Sequence, residues 1–242
     1  MIERLNTALV GDIVADDFRT AEVFERFGID FCCGGRMSLA EACRAATVEP
    51  AAVIGELDAL PPAANAGDNV GAWSAGRLID HIVSMHHAYV RTALPRIARH
   101  LATLEAVYGS RHPEIARVRA LFDELGVELA QHMMKEEQVL FPYVAELDSE
   151  DTPCGRARSP FGTVENPIRM MEREHRAAAA ELWEIRELTH GYSAPPEGCL
   201  TYVVCMAELA RFEADLYRHV HLENNVLFPK AVALESASGL RE

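Results

Sequence analysis

The sequence predicts an all-α protein. Apolar residues recur three and four positions apart over long stretches, one eleven-residue phrase occurs twice, and no run alternates apolar and polar residues as a half-buried strand would. The phrase is HMMKEEQVLFP at residues 132–142 and HVHLENNVLFP at residues 219–229. The two align without a gap as His-x-x-x-Glu-x-x-Val-Leu-Phe-Pro, 87 residues apart (219 − 132), and each reads as a helix about to end at a proline. Such a repeat implies two related halves.

The N-terminal part, residues 1–60, carries short helical signals. DFRTAEVFERFG stops at Gly28, Ser38 with Glu41 in SLAEACRAA makes a capping box, and Pro50 suits the first turn of a further short helix. PPAANAGDNVG (61–71) has two prolines, two glycines and no periodicity, so 61–73 reads as a linker. Four long helical patterns follow within 74–242: about 74–106, with Ser74 as its cap, then about 113–147, 166–190 and 196–235. SEDTPCGRARSPFGTVENP, with three prolines and two glycines, is a loop between the second and third. The predicted architecture is a small helical domain, a linker and an antiparallel four-helix bundle.

With 242 residues and 49% hydrophobic content the chain is long and apolar enough to bury a sizeable core. A net charge of −14 repels phosphates, which argues against nucleic acid and anionic membrane surfaces as partners. Glu3, Arg4, Asp12, Asp16 and Asp17 interrupt the opening residues, and no stretch of 18 apolar residues occurs, so the expected location is the cytoplasm. Six irregularly spaced cysteines do not make a secreted disulfide framework.

The inward seams place ionisable residues where a core is expected. The fourth helix gives Phe212, Leu216, His219, Glu223 and Val226; the second gives Leu121, Leu125, Glu128, His132, Glu136 and Val139. The third puts His175 between Ile168, Met171 or Glu172 and Ala178, Leu182. On the first, the seam runs Val83, His87, Val90, Leu94, Ile97 and Leu101; His86 competes, but its register brings Ala93 and His100 inward, and the 88-residue step from His87 to His175 matches the repeat. His81, His86, His100, His112, His190 and His221 are read as packing or surface residues.

Four histidines and two glutamates buried together demand a cation, because an uncompensated buried carboxylate costs about 3–5 kcal/mol. A His and a Glu four residues apart share a helix face and can aim at one point. Two such pairs and two more imidazoles are enough for two metal ions bridged by carboxylates. Imidazole and carboxylate without thiolate suit iron or manganese and are compatible with zinc; iron is the expected metal. The ferritin-like pattern of Glu-x-x-His on two helices is met only once, by Glu172 and His175.

HMMKEEQVLFP, MEREH and HVHLENNVLFP, together with the early FGIDFCCGG, resemble the repair of iron centres (RIC) family, also called the YtfE or ScdA family, over nearly the whole chain. The resemblance implies a hemerythrin-like bundle holding two iron ions through His87, His132, Glu136, His175, His219 and Glu223, the set the seams reach on their own. It implies a role in restoring iron-sulfur clusters damaged by nitric oxide or oxidants, with iron donation as one route and cluster proteins as clients. Relatives often have a histidine where Tyr108 stands in LEAVYGSRHPE, and His112 is not an obvious substitute. Six ligands on two irons leave room for an oxo or hydroxo bridge and for NO, O2 or nitrite. Two other functions are therefore open: a redox enzyme acting on nitrogen oxides, and a sensor or carrier of NO or O2.

Glu128, one turn before His132, and Glu174, beside His175, are candidates to orient the ligands or relay protons. Cys32 and Cys33 are adjacent and followed by Gly34 and Gly35. A disulfide between them would be strained and labile, so they are candidate redox thiols. Cys43, Cys154, Cys199 and Cys205 carry no such signal.

Overall fold

A computed structural model describes residues 7–60, 69–149 and 161–238; most of the expected linker and inter-helix loop, with Cys154, lies outside them. The class is all-α. Two compact units result: one holds Met1–Asp80, Tyr143–Ile168 and Tyr217–Glu242, the other His81–Pro142 and Arg169–Leu216.

The first unit opens with α1 (Val10–Asp16), α2 (Thr20–Arg26), α3 (Leu39–Ala45) and α4 (Pro50–Asp58). These helices close over Val10, Val14, Val23, Phe24, Phe31, Leu39, Cys43 and Val53, all essentially inaccessible to solvent. Gly28 ends α2 with φ +64°, and the N–H groups of Gly28 and Ile29 reach the carbonyls of Glu25 and Phe24, a Schellman closure that needs a left-handed residue. Ser38 and Glu41 form both bonds of the expected capping box.

The long helices do not stop at the prolines of the repeat. α5 (Ala75–His81), whose first turn Ser74 Oγ caps by accepting from Arg77 N, passes through a π turn (Ile82–His87) into α6 (Ala88–Tyr108). α7 (Glu114–Lys135) passes through a π turn (Glu136–Leu140) into α8 (Phe141–Asp148), α9 covers Glu165–Leu188, and α10 (Leu200–His221) passes through a π turn (Leu222–Leu227) into α11 (Phe228–Ala237). Proline cannot donate to the carbonyl four residues back and crowds it. Pro142 and Pro229 each stand just beyond a π turn, where the widened backbone relieves that conflict and the helix resumes.

A π turn holds one residue more than an α turn, so the buried face slips by one position. On the second helix Val139 was expected inward, yet it is 47% exposed and Leu140 is buried. On the first, Ile82 replaces Val83 in the core, His86 and His87 are both buried, and Ala93 takes the place expected for Leu94. Glu128 also departs from the predicted seam: it is exposed, and Leu129 is buried instead. The fourth helix starts at Leu200 rather than 196, because the residues after Pro195 first make a turn in which Gly198 N–H reaches the Pro195 carbonyl.

In the second unit the core is Ile97, Leu101, Leu104, Phe122, Leu125, Leu182, Leu209 and Phe212. The Phe122 and Phe212 rings meet edge to face at 5.3 Å, a contact that adds about 1 kcal/mol to burial alone. Tyr108, where relatives often have histidine, accepts a hydrogen bond from Cys199 N–H at 3.0 Å and packs edge-on against Tyr202. It sits 21 residues beyond His87 on one continuous helix, about 30 Å along the axis, so its role is to fasten the start of α10. Among the described residues no helix is long and apolar enough to cross a membrane.

Candidate metal centre

His87 ends the first π turn, His132 lies in the last turn of α7, Glu136 opens the second π turn and His175 stands in the middle of α9. All four are at most 3% exposed. Glu136 lies between two imidazoles: its Oε2 is 3.4 Å from His87 Nε2 and its Oε1 is 3.2 Å from His132 Nε2. His175 Nε2 is 3.0 Å from His132 Nε2.

The far side of each ring explains these approaches. His87 Nδ1 lies 2.6 Å from Glu137 Oε1, which also accepts from Arg91, and His132 Nδ1 lies 2.8 Å from Glu174 Oε2, whose other oxygen accepts from Lys135. A carboxylate at Nδ1 holds the ring proton there and leaves the Nε2 lone pair free. The His132 bond, aided by Lys135, pulls the Glu174 carboxyl down to about 2, against the opposing effect of burial. Glu137 is lowered as well: burial pushes it up, but its bonds from His87 and Arg91 outweigh that.

Two Nε2 lone pairs facing each other at 3.0 Å would repel unless something positive lay between them. Donors about 2.1 Å from a common ion and at right angles around it stand about 3.0 Å apart, so the arrangement fits a six-coordinate divalent ion. His87 with Glu136, and His132 with Glu136 and His175, belong to two sets whose donor atoms lie within 4.8 Å of one another. Glu136 is common to both and offers a different oxygen to each, as a bridging carboxylate must.

In the first unit, His219 and Glu223 repeat the pattern on the last turn of α10 and the following π turn: His219 Nε2 is 2.9 Å from Glu223 Oε1, and both are at most 1% exposed. Two residues on, the buried His221 points its Nδ1 toward the Phe31 carbonyl and Asn225, and burial pulls it down to about 4. Asn225 Nδ2 donates to the carbonyls of Phe31 at 3.1 Å and Cys32 at 2.9 Å. Cys32 and Cys33 are free thiols with sulfurs 4.0 Å apart; the neighbouring Cys33 thiol, with burial and Asp30, raises Cys32 well above an ordinary thiol.

Of the two candidate orienting residues, Glu174 touches His132, whereas Glu128 groups with Glu124 and Glu181 on an exposed surface. Glu137 was not singled out. It follows an inward glutamate by one position, about 100° around the helix, and only the packing of α7 against α6 brings it to His87. His86, read as a packing residue, is buried and bonded through Nδ1 to Asp215 at 3.1 Å.

Buried imidazoles held by carboxylates around a shared glutamate define a helical cation-binding protein of the hemerythrin class, and the Hemerythrin HHE cation binding domain model matches residues 78–231. ScdA_N, described as a domain of unknown function (DUF542), matches residues 6–61. The chain is 30% identical over 225 residues to the iron-sulfur cluster repair protein ScdA of Staphylococcus haemolyticus, covering 93% of this chain and 98% of that one. It is 32% identical to the iron-sulfur cluster repair proteins YtfE of Musicola paradisiaca (94% and 97% covered) and Escherichia coli O157:H7 (93% and 97%). The chain belongs to the ScdA and YtfE family.

Proposed function

We propose that this protein is a cytoplasmic di-iron protein that restores iron-sulfur clusters damaged by nitrosative or oxidative stress, with the damaged cluster proteins as its clients. In this reading one ion takes His87, Glu136, His219 and Glu223 and the other takes His132, Glu136, His175 and Glu223, so both glutamates bridge. The observation that carries it is Glu136, completely buried, with one oxygen toward His87 and the other toward His132. The relatives' names, which speak of iron-sulfur cluster repair, supply the process.

Bound iron supplies one-electron redox chemistry and exchangeable positions for a small molecule such as NO, O2 or nitrite. The chain does the rest. Glu137 and Glu174 keep the protons of His87 and His132 on Nδ1 and fix the plane of each ring. Burial of the ligands keeps bulk water from competing for them. The domain plan behind the proposal is 1–60 for the thiol-bearing part, 61–73 for the tether and 74–242 for the iron-bearing part.

The test is metal analysis with Mössbauer spectroscopy, joined to a recovery assay on a cluster enzyme inactivated by NO. Two antiferromagnetically coupled irons per chain, with recovery by iron-loaded but not apo protein, are expected. A single iron, or recovery no better than with free iron, would overturn the proposal.

A further inference from the structure

The loop between α2 and α3 gathers chemistry that the bundle does not use. Asp30 Oδ1 accepts the N–H of Cys32 at 3.1 Å and of Cys33 at 2.8 Å, and lies 3.2 Å from the Cys32 sulfur. The carboxylate is thereby pinned over two thiols whose sulfurs are 4.0 Å apart, and the three side chains offer donor atoms within 4.8 Å of one another. Two thiolates bound tetrahedrally to one ion at about 2.3 Å stand about 3.8 Å apart, and a thiolate and a carboxylate about 3.5 Å.

The loop is also held still before any ligand arrives. A Cβ on Gly34 would lie 2.7 Å from the Asp30 carbonyl oxygen, and one on Gly35 would lie 2.2 Å from Asn225 Oδ1, so the chain turns back on Asp30 only because both are glycine. Gly11 N–H bonds the Gly35 carbonyl at 2.9 Å, while Asn225 holds the carbonyls of Phe31 and Cys32. Cys32 is buried, Cys33 is half-buried and Asp30 is exposed, which gives an ion a path in and leaves one coordination position to solvent. Three protein ligands with an open fourth position are the mark of a site that exchanges its ligand or its ion, whereas purely structural zinc sites are closed by four.

We propose that Asp30, Cys32 and Cys33 form a second metal site, distinct from the bundle ligands, that takes one borderline divalent cation of the Zn(II) or Fe(II) kind. Each thiol that coordinates loses its proton to solvent, so binding one M2+ releases up to two H+ with no change of oxidation state. The site does not depend on the bundle binding iron.

Anaerobic titration of the reduced, iron-loaded full-length chain with Co(II) tests it. A thiolate-to-cobalt charge-transfer band saturating at one Co(II) per chain is expected, because the nitrogen and oxygen donors of the bundle cannot produce it. Asp30→Asn should weaken binding by about tenfold or more. Cys33→Ser should abolish the band, and His132→Ala should leave it. In the unmodified protein, Zn(II) should slow alkylation of Cys33, mapped by mass spectrometry, without any substitution that might disturb folding. Absence of the band while both thiols are reduced, its survival in Cys33→Ser, its loss in His132→Ala, or Cys33 alkylation indifferent to Zn(II) would overturn the proposal.

Discussion

Replacing Gly35 by alanine should destabilise the protein through one identifiable side chain. The new methyl would sit 2.2 Å from Asn225 Oδ1 and 2.6 Å from its Cγ, far inside contact distance. The amide must swing away and forfeit its bonds to Phe31 O and Cys32 O. Two such bonds are worth about 0.5–1.5 kcal/mol each, and residual crowding adds about 1 kcal/mol, giving about 2–4 kcal/mol for Gly35→Ala. Asn225→Ala loses the same bonds without the clash and should cost about 1–3 kcal/mol. In the Asn225→Ala background the Gly35 methyl has room, so the double variant should be no worse than the single Asn225 change, a favourable coupling of about 2 kcal/mol. Urea unfolding of the four proteins measures the cycle, with limited proteolysis near Cys33 reporting whether the loop lets go. Additive effects, or a Gly35→Ala cost below about 0.5 kcal/mol, would show that Asn225 does not grip the loop as described.

Glu174→Gln weakens the hold on His132 Nδ1 and should lower iron affinity by about 10- to 100-fold, read by competition with a chelator while helicity is unchanged. Cys199 is exposed, and a hydrogen bond from the Tyr108 hydroxyl, with help from backbone N–H groups, brings its thiol down to about 7. Its alkylation rate should therefore rise with a midpoint near pH 7, and Tyr108→Phe should move that midpoint upward. Glu181 is pushed up to about 7 by burial and by the nearby Glu128 and Glu124. Because its folded value is raised, ionisation costs stability as pH climbs from the ordinary carboxylate range through 7. Glu181→Gln should raise the unfolding midpoint at pH 8 and leave it almost unchanged at pH 5.

What the sequence disclosed depended on how local the signal was. The capping box at Ser38, the helix stop at Gly28 and the helical first turn at Pro50 each lie within a few residues of their cause, and each was readable. The His-x-x-x-Glu pairs were readable because four residues make one helical turn. The π turns were not, since nothing in a 3.6-residue period announces an inserted residue; hence Val139 was assigned inward when Leu140 holds that place. Glu137, and the grip of Asn225 on the Cys32 loop, join residues 50 and about 190 positions apart and have no signature within their own segments. Glu174 was visible only as a neighbour of His175, although its partner is His132 on another helix.

The widened turns make chain length itself a functional variable. Each carries one surplus residue in a helix that otherwise keeps its ordinary pitch. Deleting a single residue between Glu136 and Pro142 would let the backbone snap back to regular winding and swing everything downstream by about 100° relative to the histidine upstream. Leu140, Phe141 and Val144, now facing inward, would be carried toward water together. Substitutions in this stretch alter one side chain, but a one-residue deletion would re-aim a whole helix.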